Sequence, residues 1–239
     1  MITLRRKSGG KTSLVLALFL VTSWSLITSC WSGVAVKEST TASSTQITDT
    51  DSIQNSLFGE DVVSLSAETA GLFSINNSNN YRYLPQLITV GWQLDEIGNE
   101  GWNRGNTEFL FSGMYAPVIH GPNPWFTGGL FGPRYNFIQE GWPVVPYLES
   151  RVGFMFTDAT GAPNSQGQDF CFSFTVGTGV RIPVMQQLSV NLGILYQHIS
   201  NGGLSEPDHE NVGLDSIGPT LSVTWAFESH HSPPSMGLL

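Results

Sequence analysis

Residues 169–182 read DFCFSFTVGTGVRI, and the spacing inside this stretch decides the fold. Phe170, Phe172, Phe174, Val176, Val180 and Ile182 fall on one parity. Asp169, Cys171, Ser173, Thr175, Gly177, Gly179 and Arg181 fall on the other. Alternate residues of a strand leave opposite faces, so one face is apolar and the other small and polar. A soluble sandwich strand also alternates, but it seldom does so for more than a dozen residues. An apolar outside around a polar inside is the pattern of a transmembrane barrel.

The same alternation recurs on both sides. QLITVGWQL sets Ile88, Val90, Trp92 and Leu94 on one face, and EFLFSGMYAPV does so with Phe109, Phe111 and Tyr115. YLESRVGFMF sets Leu148, Val152, Phe154 and Phe156 against Tyr147, Glu149, Arg151 and Gly153. Opposite charges two apart can pair on an inner face, whereas facing lipid each would cost several kcal/mol. DSIGPTLSVTWAF closes the series with Ile217, Leu221, Val223, Trp225 and Phe227 outward. Weaker segments at Val62–Phe73 and Trp125–Ile138, and the run from Leu188 to Ser200, bring the count to about eight. The expectation is an all-β fold: an eight-stranded antiparallel transmembrane β-barrel of the bacterial outer membrane, its lumen filled by side chains. Glu108, Arg134, Glu149, Arg151 and Arg181 are expected to supply that filling, and Trp92, Trp102, Trp125, Trp142 and Trp225 the interface belts.

Composition agrees. Of 239 residues 26 are glycine, 11% are aromatic and only 12% are charged, about half the charge of an ordinary soluble domain. No internal run is long and apolar enough for a spanning helix. A net charge of −9 argues against a nucleic-acid partner, which requires a basic footprint. The two cysteines, Cys30 and Cys171, make neither a zinc site nor an expected disulfide. No cofactor and no metal are expected.

Residues 1–30 read as an export signal: Arg5, Arg6, Lys7 and Lys11 precede an apolar stretch from Leu14 to Ile27. Two cleavage sites compete. ITSC, ending at Cys30, resembles a lipobox and would make Cys30 the lipidated first mature residue; GVA at 33–35 suits a general signal peptidase. Residues 31–58 read as a disordered Ser/Thr-rich spacer, 59–228 as the barrel and 229–239 as a flexible tail.

One stretch breaks the apolar outer pattern. Leu188, Val190, Leu192, Ile194 and Tyr196 are followed on the same parity by His198 and Ser200, within YQHISNGGL. Residues two apart on a strand have Cα atoms roughly 6.5–7 Å apart, within reach of an imidazole–hydroxyl bond. Histidine is the natural base near neutral pH, a serine hydroxyl needs such a base to attack an ester, and a third group must orient the ring. Parity counted back from Phe227 puts Asp215 on the outer face as well. If the last two strands form a hairpin, the three residues meet at one rim of the barrel.

HISNGGL, followed by a polar loop and NVGLD, resembles the lipid A 3-O-deacylase (PagL) family, whose signature is His-x-Ser-Asn with a later Asn-x-Gly-x-acid. The resemblance implies an outer-membrane esterase that removes an ester-linked acyl chain from the lipid A of lipopolysaccharide. It implies Ser200 as nucleophile, His198 as base and Asp215 as orienting acid, with the Asn201 side chain and the Gly203 N–H as oxyanion hole. The family acid is usually Glu, one methylene longer. The loop is also longer than usual, so Glu206, Asp208 and Glu210 stand as rival acids. A second reading, from a different class, is a non-catalytic small barrel serving as adhesin or envelope-structural protein. The sequence leaves monomer and homodimer equally open.

Overall fold

The computed structural model describes residues 53, 54, 56–75 and 80–228. The expected export signal with Cys30 and both cleavage sites, most of the spacer, and the tail lie outside them.

Ten strands form one antiparallel sheet: β1 Val62–Ala70, β2 Leu72–Ser74, β3 Arg82–Tyr83, β4 Gln86–Gln93, β5 Gly105–His120, β6 Trp125–Phe137, β7 Val145–Thr157, β8 Phe170–Met185, β9 Leu188–Ser200 and β10 Leu214–Glu228. β1 and β2 are one barrel strand interrupted at Gly71, and β3 and β4 are one interrupted at Leu84 and Pro85, so the barrel has eight strands. It closes where β10 pairs with β1, Val62 opposite Glu228, and with β2, Ser74 opposite Ser216. Closure removes the sheet edges, and inter-strand bonds satisfy the backbone, as hydrocarbon requires. The break at Gly71 passes close to β10: a Cβ on Gly218 would lie 1.9 Å from the Gly71 carbonyl oxygen, so position 218 accepts only glycine.

The outward face carries Ile88, Val90, Trp92, Phe111, Phe154, Phe172, Leu192, Ile194, Val223 and Trp225, all substantially exposed. The lumen is layered. Toward the end that carries the β9–β10 loop, Leu72, Tyr81, Tyr83, Met114, Phe126, Met155, Leu195, Ile199 and Leu214 form an apolar cluster. Cys171 belongs to it and is a free, buried thiol. At the end where β1 begins and β10 ends, a second cluster joins Leu57, Phe58, Val62, Ile138, Val145 and Ala226. Leu57 and Phe58 lie in the span expected to be spacer, yet both are fully buried. They cap the lumen there, with the Phe58 ring 4.7 Å from the Arg181 guanidinium. The folded body thus begins upstream of residue 59, because two large apolar side chains at the foot of a barrel gain more by entering its mouth than by staying in water.

Between the clusters lies a chain of alternating charges. Glu68 meets Arg151 at 3.0 Å, Arg151 meets Glu149 at 2.6 Å, and Glu149 meets Arg134 at 2.6 Å. Arg134 reaches Glu108 at 3.4 Å, and Glu108 meets Arg181 at 2.7 Å. Three cations and three anions balance, which lets charge survive burial. Glu149 holds two arginines at once. Removing one partner of such a network leaves uncompensated charge, so Glu149→Ala is expected to destabilise the barrel by about 3–5 kcal/mol. Urea unfolding in lipid vesicles, followed by tryptophan fluorescence, checks this. A loss below about 1 kcal/mol would show that the lumen is hydrated and the charges screened.

Candidate active site

β9 and β10 are paired from Leu188 opposite Trp225 to Ile199 opposite Leu214, with Tyr196 opposite Ile217 and His198 opposite Asp215. Ile199 and Leu214 point inward and are fully buried, and this anchoring turns His198, Ser200 and Asp215 outward at the loop end of the barrel. The His198 and Asp215 side chains are 40% and 31% exposed.

His198 Nδ1 lies 2.7 Å from Asp215 Oδ1. An ionised carboxylate can only accept, so Nδ1 carries the hydrogen and Nε2 of the neutral ring is left as acceptor. The Tyr196 hydroxyl donates to the same Oδ1 at 2.6 Å. The carboxylate is therefore gripped from both ends of one face, by groups two residues apart on β9. Of the four acids weighed from sequence, Asp215 is the one bonded to the imidazole; Glu206, Asp208 and Glu210 are exposed on the loop.

The Ser200 hydroxyl oxygen accepts from the Gly202 N–H at 3.1 Å and from the Asn211 side-chain amide at 3.2 Å. No hydrogen bond joins it to His198. With two donors on the oxygen, the hydroxyl proton is free to point to an acceptor. Gly213 packs beneath the pair: a Cβ there would lie 3.4 Å from His198 Cε1 and 4.0 Å from Ser200 Cβ.

The loop between β9 and β10 is held in place from within. Asn201 is fully buried. Its amide nitrogen donates to the Gln166 carbonyl at 2.5 Å and to Ser205 Oγ at 2.6 Å, and its Oδ1 accepts the Gly203 N–H at 2.7 Å. Both groups expected to form the oxyanion hole are thus engaged in loop bonds, the Asn201 amide with Ser205 and with Gln166 of the loop between β7 and β8, and the Gly203 N–H with Asn201. Asn211 Oδ1 accepts the Asn201 N–H at 3.2 Å. Val212 N–H donates to the Ser165 carbonyl at 3.0 Å, which ties this loop to the one between β7 and β8. Gly202 and Gly203 sit at φ +67° and +80°, a left-handed conformation that glycine adopts without strain. In the neighbouring loop, backbone N–H groups of Thr160 and Ala159 donate to Asp169, at 2.9 Å each, and hold its carboxyl below the usual aspartate range.

Tyr196 was not singled out from sequence as part of the site, and Asn211 only as the asparagine of the NVGLD motif, without a role. Tyr196 reads as one more lipid-facing residue, but its length carries the hydroxyl diagonally to Asp215, a reach available across a strand pair. Asn211 stands in a loop without periodicity, and only closure of that loop brings it to Ser200. Among the described residues, no group of histidine, cysteine or acidic side chains is arranged to hold a metal.

A family model described as lipid A 3-O-deacylase (PagL) matches residues 86–224, more than half of the chain. Solved structures with a similar course include the outer membrane enzyme PagL, at 18% identity over 66% of this chain and 97% of that one, with a TM-score of 0.47. Neisserial surface protein A is similar at 16% identity over 70% and 100% of the two chains, TM-score 0.48. The N-terminal β-barrel domain of Pseudomonas aeruginosa OprF is similar at 15% identity over 71% and 99%, TM-score 0.43. No curated protein sequence matches the chain.

Proposed function

Because this chain belongs to the lipid A 3-O-deacylase (PagL) family, we propose that it hydrolyses an ester-linked acyl chain of lipid A, at the 3-O position that the family description names, with Ser200 as nucleophile, His198 as base and Asp215 as orienting acid. The chain is a bacterial outer-membrane barrel, and its lumen is packed with side chains, so its activity belongs to the loops or the outer wall. The observation that carries the reading is the 2.7 Å bond between His198 and Asp215, beside a serine, on a face otherwise turned to lipid. A polar cluster in that position is costly and calls for a role.

In the proposed reaction the Ser200 hydroxyl rotates toward Nε2. Its oxygen attacks the ester carbonyl as its proton passes to His198. The imidazolium that forms is stabilised by Asp215, which remains ionised. The tetrahedral intermediate collapses when Nε2–H gives the proton to the departing sugar oxygen. Water, deprotonated by the same nitrogen, then cleaves the acyl-serine and releases a fatty acid. The oxyanion must be met by donors. Gly202 N–H and the Asn211 amide already stand at Ser200 Oγ, whereas the Asn201 amide and Gly203 N–H serve only after their loop bonds exchange. The aspartate is shorter than the usual glutamate, and the Tyr196 hydroxyl compensates by fixing its carboxylate against the ring.

Mass spectrometry of lipid A from cells with and without the chain tests the proposal. The expected result is a mass decrease equal to one hydroxyacyl group in cells that make the protein. Unchanged lipid A, with the barrel present and folded in the outer membrane, would overturn it. The missing His198–Ser200 bond would then favour the non-catalytic barrel, an adhesin or envelope-structural protein.

A further inference from the structure

Cations are scarce in the barrel. The sequence has no lysine after Lys37. Arg134, Arg151 and Arg181 are buried in the luminal charge chain, and Arg104, just before β5, lies 3.8 Å from Glu140. Arg82 stands apart. It is exposed, it opens β3 at the loop end of the barrel, and its neighbour Tyr83 points inward and is buried. No carboxylate pairs with Arg82 among the described residues, and the connecting segment at residues 75–80, INNSNN, contains no acid.

Strand register places Arg82 relative to the candidate site. Arg82 lies opposite Phe73, Phe73 opposite Ile217, and Ile217 opposite Tyr196. These residues form one outward row across four strands, directly below the row that holds His198 and Asp215. Three strand spacings separate Arg82 from β9, about 14 Å at roughly 4.8 Å each. Arg82 lines a cleft of about 510 Å³ together with Phe73 and Ile119, apolar side chains that are 50% and 59% exposed.

An arginine on a lipid-facing wall is tolerated where its stem lies on apolar surface and its head reaches the interface. There the guanidinium fork matches a phosphate, with two parallel bonds. The remaining charge at this end is negative, through exposed Glu206, Asp208 and Glu210, so no diffuse positive field draws anions in. One fixed cation then decides on which side of the site an anionic headgroup lies.

We propose that Arg82 and the cleft beside it form a docking subsite for a phosphate group of the glycolipid substrate, with Phe73 and Ile119 holding an adjoining acyl chain. The subsite sets which ester is brought to Ser200, and in this it rests on the hydrolase reading above.

Binding measured without turnover tests it. Purified Ser200→Ala protein in detergent micelles is titrated with diphosphorylated lipid A and with the same lipid enzymatically dephosphorylated. The phosphorylated lipid is expected to bind roughly tenfold more tightly, the size of a charge-assisted bond. In S200A/R82Q the preference should fall below about twofold, and S200A/R82K should restore part of it. Inorganic phosphate at millimolar concentration should not displace the lipid; displacement would make this a free-phosphate site and overturn the assignment to a lipid headgroup. Equal preference in S200A and S200A/R82Q would overturn the subsite itself. Since binding is read directly, intact lipid A in the mass-spectrometric experiment would remove the hydrolase reading while the binding result still decides the role of Arg82.

Discussion

Lipid A incubated with a Ser200→Ala variant is expected to keep its full set of acyl chains, with kcat lower by at least about 10³-fold. Ala removes the hydroxyl that the proposed reaction uses as nucleophile, so no acyl-enzyme can form at this position. The barrel should be unaffected. Ser200 Oγ serves only as acceptor for the Gly202 N–H and the Asn211 amide, and both donors stand at a half-open rim where water can replace it. The measurement is deacylation of purified lipid A in micelles, with heat-dependent gel mobility as a folding control. A folded variant that retains more than a tenth of the activity would exclude Ser200 as nucleophile and turn attention to a water activated directly by His198.

Asp215→Asn is expected to lower kcat by on the order of 10³–10⁴-fold with KM little changed. The reason is the tautomer. Asp215 accepts from both His198 Nδ1 and the Tyr196 hydroxyl on the same oxygen. An asparagine can offer its NH₂ toward Nδ1, which then favours the ring with hydrogen on Nε2, unable to take a proton from serine. Tyr196 sharpens the expectation, because its O–H needs an acceptor and will compete for the Asn carbonyl oxygen, leaving the NH₂ for the imidazole. Asp215→Glu places a carboxylate one methylene further out and should be far less harmful. Steady-state kinetics across pH distinguishes the two substitutions. If Asn and Glu prove equally harmless, Asp215 does not orient the base.

The fold was legible because a bilayer makes harsh demands on sequence. Every strand must show apolar residues to lipid, so Phe170, Phe172, Phe174 and Val176 report their own orientation, and Asp215 could be placed on the outer face by counting back from Phe227. The pairing of Glu149 with Arg151 inside the lumen followed from the same parity; Glu68, the other partner of Arg151, was not foreseen. The apolar cap was not legible. Leu57 and Phe58 end a polar run with no period, and their burial depends on the diameter of a barrel formed by residues far downstream. The loop bonds were hidden for a similar reason. Asn201 is expected from the resemblance as an oxyanion donor, yet its amide bridges to Gln166 in another loop, a contact that no local pattern encodes. Tyr196 was invisible in a different way: a lipid-facing tyrosine and one that braces a carboxylate occupy the same parity.

The outward turn of β9 has a kinetic consequence. A lipid that meets Ser200 there never has to leave its leaflet, so encounter is a search in two dimensions by lateral diffusion. Turnover in a native envelope would then follow the fluidity of the surrounding monolayer, and stiffening that monolayer would slow the protein without altering a single bond within it.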